Sequence, residues 1–176
     1  MDIKKIKRFQ IFSIIFTFVL GTLLHFTYEW SGESKFIAAF SAINESVWEH
    51  LKLLYFPMLI TIIIGYFYLE KEVPNFICAK TIGILVATLF TVVFFFTYTG
   101  VLGKNVAFID ISSFFIATIL GEYTAYRLMI DRFKCKFGVE IILIVLGLSF
   151  IFFTYYTPPI GIFRDPITGN YGLQKL

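Results

Sequence analysis

Two glutamates, a histidine and a lysine crowd into INESVWEHLK, residues 43 to 52, immediately ahead of the apolar run LLYFPMLITIIIGYFYL. On a helix, Glu45, Glu49 and Lys52 are separated by four and three positions and share one face, with Trp48 beside them. His50 then points well away from that face. A second pair, His25 and Glu29, is also four apart, near the end of an earlier apolar run, so one lies above the other. Asp110 stands near the start of a later run, and Asp165 in the C-terminal tail is within reach of the same layer.

Carboxylates at i and i+4 repel by a few tenths of a kcal/mol in water, and by more beside hydrocarbon, unless a cation is shared between them. A proton would turn one glutamate into a raised-pKa acid suited to general acid–base work or proton coupling. A divalent metal would find nitrogen and oxygen ligands in His25, Glu29, Glu45 and Glu49. Lys52 would neutralise part of the charge with no ligand at all. Three readings therefore stand side by side. His25, Glu29, Trp48, Lys52, Asp110 and Glu122 could line a pocket for a cation or small polar ligand, in a transport or binding component. The same region could be a metal-dependent intramembrane hydrolase, with Glu49 or Glu45 as base and His25 as ligand. The acidic cluster could also be a salt-bridge network that fixes helix registry in a structural subunit.

Glu122, in GEYTAYR, lies roughly 20 Å along its span from that span's outer end, too far from the outer glutamates to share their ion. An unpaired carboxylate there would be costly, so it is expected to be protonated or bonded to Thr118, Tyr126 or another helix, with Lys52 as one candidate.

The elements that must position these groups are membrane spans. The chain has 176 residues, 58% hydrophobic and 20% aromatic, with 23 phenylalanines and a mean hydropathy of +0.81, against roughly 45–50% apolar in an ordinary soluble domain. At about 20 residues per crossing the length allows at most about six spans and leaves no room for a separate soluble domain. Five apolar runs, 9–26, 47–69, 77–99, 107–129 and 139–156, predict an all-α polytopic bundle over residues 1–157, followed by a tail, 158–176, packed over the outer face. The first run follows a basic N-terminus and ends in HFTYEW without a small-residue cleavage site, so it reads as an uncleaved span. Residues 35–43 are too short to cross and predict an interfacial or partly re-entrant helix. Asn44 is expected to cap the second span, with Glu45 favouring the same helix start. Pro57 should kink that span or loosen one turn. Ser113, Ala117, Gly121 and Ala125 form a small-residue stripe on which a neighbouring backbone can pack closely.

Lys4, Lys5, Lys7, Arg8, Lys71, Lys80, Arg127, Arg132, Lys134 and Lys136 fall on one side of such a bundle; Lys35, Lys104, Arg164 and Lys175 fall on the other. The basic side should be the cytoplasm, which places a multi-pass protein in the cell membrane with its N-terminus inside and its C-terminus outside. The net charge of +3 then follows from topology. It gives no reason to expect nucleic acid as a partner, and the lipid bilayer is the partner expected. Cys78 and Cys135 fall on the cytoplasmic side, where thiols stay reduced, and neither has a CxxC neighbour, so no disulfide or cysteine-based metal site is expected.

NESVWEHLKLLYFP, HFTYEW and PPIGIFRDPITGNYG together resemble an uncharacterised family of small bacterial multi-pass membrane proteins, over nearly the whole chain. That resemblance implies a fold and supplies no activity. Glu45, Ser46 and His50 ahead of an early span also resemble the glutamate, polar residues and histidine of the alkaline ceramidase and progestin/adiponectin receptor superfamily. That resemblance implies zinc-dependent hydrolysis, but the superfamily has seven spans and two late histidines, whereas this chain has only His25 and His50. In size the chain is similar to the substrate-binding subunits of energy-coupling-factor vitamin transporters, without their alanine-spaced motif in the first span.

Overall fold

A computed structural model describes residues 2–69, 72–135 and 138–173. The charges counted above at Lys71, Lys136 and Lys175 lie outside the described residues. The chain is all-helical: α1 (Ile3–Trp30), the short α2 (Lys35–Ala38), α3 (Val47–Leu69), α4 (Phe76–Leu102), α5 (Ala107–Ile130) and α6 (Val139–Tyr155). A single 3₁₀ turn follows at Gly161–Phe163. Four helices, α1, α3, α4 and α5, are long and apolar enough to cross a membrane. At 17 residues α6 is about 25 Å long, somewhat short of a ~30 Å hydrocarbon core.

Helix boundaries differ from the apolar runs for a physical reason. Hydropathy marks where side chains are apolar, whereas a helix continues as long as its backbone is hydrogen-bonded. Asp2 caps α1 by accepting from the amides of Lys4 and Lys5 at 2.9 and 3.2 Å, so the basic stretch after it is already helical. Predicted as an interfacial helix over 35–43, the segment after α1 has only one helical turn. Ala38 at its end, and Ala39, Ser41 and Ala42 beyond it, tuck into the bundle.

Short connections between the long helices make neighbours antiparallel, and α1, α3, α4 and α5 form the central bundle, with α6 against α3 and α4. Trp30, Val47, Leu102, Ala107 and Tyr155 gather at one end, called here the tail end. Ile3, Leu69, Phe76 and Ile130 mark the opposite, N-terminal end. Large apolar side chains such as Leu89, Val93, Ile144, Val145 and Leu148 point outward. A water-facing monomer does not carry so broad an apolar surface, and a bilayer is the solvent that accommodates it.

The small-residue stripe on α5 is buried and faces α4. A Cβ on Gly83 would lie 2.5 Å from the Gly121 carbonyl oxygen, and one on Gly121 would lie 2.6 Å from that of Gly83, so the two backbones touch there. Pro57 does not end α3, which runs through to Leu69. It lacks an N–H for the Leu53 carbonyl, and that oxygen points at Gly21 of α1, where a Cβ would lie 2.6 Å away.

Cys78 and Cys135 are joined by a disulfide, against the expectation of two reduced thiols. Their separation of 57 residues conceals the antiparallel pairing of α4 and α5. That pairing sets the start of one helix beside the end of the other, with the Cα atoms 6.3 Å apart and within bridging range. Asn75 secures the same corner by donating to the carbonyls of Leu128 and Phe133 at 2.8 and 3.2 Å.

In the tail, Phe163 is buried against Trp48 and Phe153, with ring centroids 4.7 and 5.4 Å apart. Asp165 accepts from the amides of Ile167 and Thr168 and from the Thr168 hydroxyl, so its carboxylate holds its own turn and does not join the acidic layer.

Candidate functional site

The start of α3 decides which acids meet. Ser46, and not Asn44, is the residue whose side chain caps this helix: its Oγ accepts from the Glu49 amide at 3.4 Å. Asn44 instead accepts from the Ser46 amide at 3.0 Å and donates to the Gly172 carbonyl in the tail. Glu49 reaches back to accept from the Ile43 amide at 3.1 Å, a variant of the capping box. Because α3 begins at Val47, Glu45 lies outside it and does not share a face with Glu49 and Lys52.

Freed from that register, Glu45 turns toward the two histidines. His25 Nε2 stands 3.5 Å from one of its oxygens and His50 Nε2 stands 3.4 Å from the other. The expectation that His50 points away is therefore corrected, since the extra rotation comes from the non-helical backbone at Glu45. His50 Nδ1 donates to the Ser46 carbonyl at 3.0 Å, which fixes the ring and turns Nε2 toward Glu45. The two imidazole centroids are 5.3 Å apart. All three side chains are partly buried, and His25 Nδ1 is buried without a hydrogen-bond partner. The His25 imidazole holds the Glu45 carboxyl below the usual carboxylate range, against the upward push of partial burial.

One ligand atom from each of His25, Glu45 and His50 falls within 4.8 Å of the others. A tetrahedral ion with N and O ligands at about 2.0–2.2 Å separates neighbouring ligand atoms by roughly 3.3–3.5 Å. Each Nε2 has that spacing to a different Glu45 oxygen, so an ion held by both imidazoles takes the carboxylate through both oxygens or through one after a small rotation.

This cluster borders a cavity of about 430 Å³ enclosed by α1, α3, α4 and α5, with Ile167 of the tail at its edge. Phe95, Phe114 and Phe115 contribute much of its wall, and Asp110 is its second acid. Among the described residues no lysine or arginine lines it. Asp110 accepts from the Tyr98 hydroxyl.

The other anticipated residues lie elsewhere. Glu29 is exposed on the last turn of α1. Trp48 packs into the aromatic group of Phe150, Phe153 and Phe163. Glu49 and Lys52 are buried together at 2.5 Å, and Lys52 also donates to the Ala38 carbonyl and the Thr154 hydroxyl, which ties α3 to α6 and to the end of α2. Glu122 pairs with Lys80, whose Nζ lies 2.6 and 2.7 Å from its two oxygens, so Lys52 and Glu122 do not meet. Lys80, counted from sequence among the charges on the cytoplasmic side, falls in the predicted run 77–99. It belongs inside α4, one turn beyond the start at Phe76, and is fully buried.

Comparison with known proteins matches residues 1–173 to a family of unknown function, DUF6512. No curated protein matches, and no solved structure matches.

Proposed function

We propose that this chain, which belongs to the DUF6512 family of unknown function, is a membrane protein whose tail-end cavity binds a divalent transition-metal ion at His25, Glu45 and His50. The observation that carries this reading is the orientation of His50. Its Nδ1–H is spent on the Ser46 carbonyl, so Nε2 is the ring nitrogen turned toward Glu45, 3.4 Å from one of its oxygens, and the atom offered to an ion. A backbone carbonyl behind a ligating histidine is the usual way in which ring angle and tautomer are set. Two imidazoles and a carboxylate suit Zn²⁺, Co²⁺ or Ni²⁺ better than Ca²⁺ or Mg²⁺, which take oxygen ligands. Three protein ligands leave a position open toward the cavity, where a further ligand can join the ion.

The surviving lysine and arginine asymmetry supports a topology with the N-terminal end in the cytoplasm and the tail end outside, with Lys80 now removed from the count. Metal-dependent hydrolysis is the second reading and rests on the same open position. In that case Glu45 is a ligand, and Glu49, committed to Lys52 and the Ile43 amide, does not serve as the base.

The test is titration of Co²⁺ into detergent-purified protein, followed by its visible absorption. Wild type should saturate at one ion per chain, and His50→Ala should lose most of the affinity while Glu29→Gln binds as wild type. Equal binding by wild type and His50→Ala would remove the proposal.

A further inference from the structure

The tail-end cavity carries a charge that the histidine–glutamate cluster does not use. Asp110 is its second acid, in the first turn of α5, and is partly buried. One of its oxygens accepts from the Tyr98 hydroxyl, which itself accepts from the Val106 amide at 3.3 Å, so the connection between α4 and α5 fixes that side of the carboxylate. The other oxygen has no hydrogen-bond partner among the described residues, and no lysine, arginine or histidine among them pairs with Asp110. The amide dipoles at the start of α5 favour an acid there but supply no counter-ion.

The cavity changes character with depth. His25, Glu45, His50, Asn105 and Asp110 line its tail-end level. Phe114 follows Asp110 by four positions on α5, and Gly21 precedes His25 by four on α1, so each lies about 6 Å deeper. At that depth Leu53, Leu54, Phe95, Phe114 and Phe115 make an apolar, largely aromatic wall. Beneath them Phe18 packs edge-on against Phe115, with ring centroids 4.5 Å apart. Lining residues from α3 and α4 are buried or half-buried, whereas Thr22 and Phe26 of α1, Ala107 and Ile111 of α5 and Ile167 of the tail are exposed. The cavity therefore reaches the surface along the seam between α1 and α5, where Phe26 and Ile111 give it an apolar rim.

A carboxylate above an aromatic wall selects its ligand by charge and by surface. Its charge is costly beside hydrocarbon until a cation shares it. A bare divalent ion would find too few oxygen ligands around Asp110. An ammonium group meets both demands, since its charge pairs with the carboxylate and is also attracted to the faces of aromatic rings. An anionic head would face Asp110 and Glu45 with no lysine or arginine among the described lining residues to offset them. At about 430 Å³ the cavity is in the size range of small-molecule sites, roughly 300–1,000 Å³. We infer that the cavity binds a hydrophobic ammonium compound, with its charge at Asp110 and its apolar body among Phe95, Phe114 and Phe115. The ion proposed above uses Glu45 and this ligand uses Asp110, so the inference requires no metal and can stand if the metal proposal falls.

Isothermal titration calorimetry tests it, with the full chain freed of metal by chelator in phosphatidylcholine nanodiscs and empty nanodiscs as the blank. Octyltrimethylammonium is the probe, because its charge does not change with pH. Octanoate and octanol carry the same chain on a negative and a neutral head. Wild type should bind one probe ion per chain, roughly tenfold or more tighter than either control compound. Asp110→Asn, which keeps an oxygen for the Tyr98 hydroxyl, should bind the probe roughly tenfold or more weakly, and Glu29→Gln should bind it as wild type. Ala107→Lys sets a lysine three positions before Asp110 on the same helix face, and this built-in cation should displace the probe. If Asp110→Asn does not fold, Ala107→Lys decides the same question. Wild-type affinity in either folded variant, octanoate or octanol bound as tightly as the probe, or no heat beyond that of empty nanodiscs would overturn the inference.

Discussion

His50 and Lys80 are the residues whose roles the sequence concealed, His50 by a helix boundary and Lys80 by its charge. Treated as part of one helix with Glu49, Glu45 falls on the wrong face and His50 points away from it. The signal that corrects this was present: Ser46 and Glu49 have the spacing of a capping box, which starts the helix at Val47 and releases Glu45 from its register. Lys80 fell inside the predicted run 77–99, but its charge put it in the count of residues on the cytoplasmic side and hid its burial. The small residues Gly83 and Ala87 on the same face mark it as facing α5. Glu122 carries the clearest residue-scale prediction. Lys80→Met alone strands a buried carboxylate and should cost about 3–5 kcal/mol, whereas Lys80→Met/Glu122→Leu should cost far less or stabilise the fold. Thermal denaturation of the two variants checks this, and equal loss in both would contradict the pairing.

At the scale of elements, five helices and the close approach along the Ser113–Ala125 stripe were legible because periodicity and small side chains are local properties. The disulfide was not, since it depends on α4 and α5 lying antiparallel, a pairing no single segment encodes. Ser46→Ala should cost about 1 kcal/mol through loss of the α3 cap. It should also weaken Co²⁺ binding, because the turn that presents Glu45 rests on that cap; unchanged binding would separate the two. Gly121→Val places a branched side chain against the Gly83 carbonyl and should cost about 1–3 kcal/mol by forcing α4 from α5, read as a drop in Tm. The connection between α3 and α4 supplies a pH dependence. Lys5 donates to Glu72 at 2.5 Å and holds the Glu72 carboxyl below its usual range. A folded value below the unfolded one gives stability that is present above the unfolded value and lost as pH falls through the folded one. Both side chains are partly exposed, so the effect is small and screened by salt. Glu72→Gln should remove that part of the acid sensitivity, and an acid midpoint identical to wild type at low salt would contradict it.

Across the whole molecule, polar groups are graded along the bundle. At the tail end a loosely spaced histidine–glutamate cluster opens into an aromatic-walled cavity beside the buried Glu49–Lys52 pair, while the Lys80–Glu122 pair is buried toward the other end. Tight pairs lock helices together, and a cluster spaced at 3.4–3.5 Å leaves room for an ion. The disulfide sits at the N-terminal end, which the proposed topology would place in a reducing compartment. Maleimide labelling of whole-cell protein before and after reduction should show Cys78 and Cys135 blocked only if that end meets oxidant; free thiols in cells and a bridge after purification would preserve the charge-based topology. The measurement that bears most directly on the proposed site is the metal content of protein purified without chelator, beside His25→Ala, Glu45→Gln and a Glu49→Gln control. Stoichiometric transition metal in wild type and the control, absent from the two ligand variants, is the expected result. Metal-free wild type that also fails to take up added Zn²⁺ or Co²⁺ would contradict it.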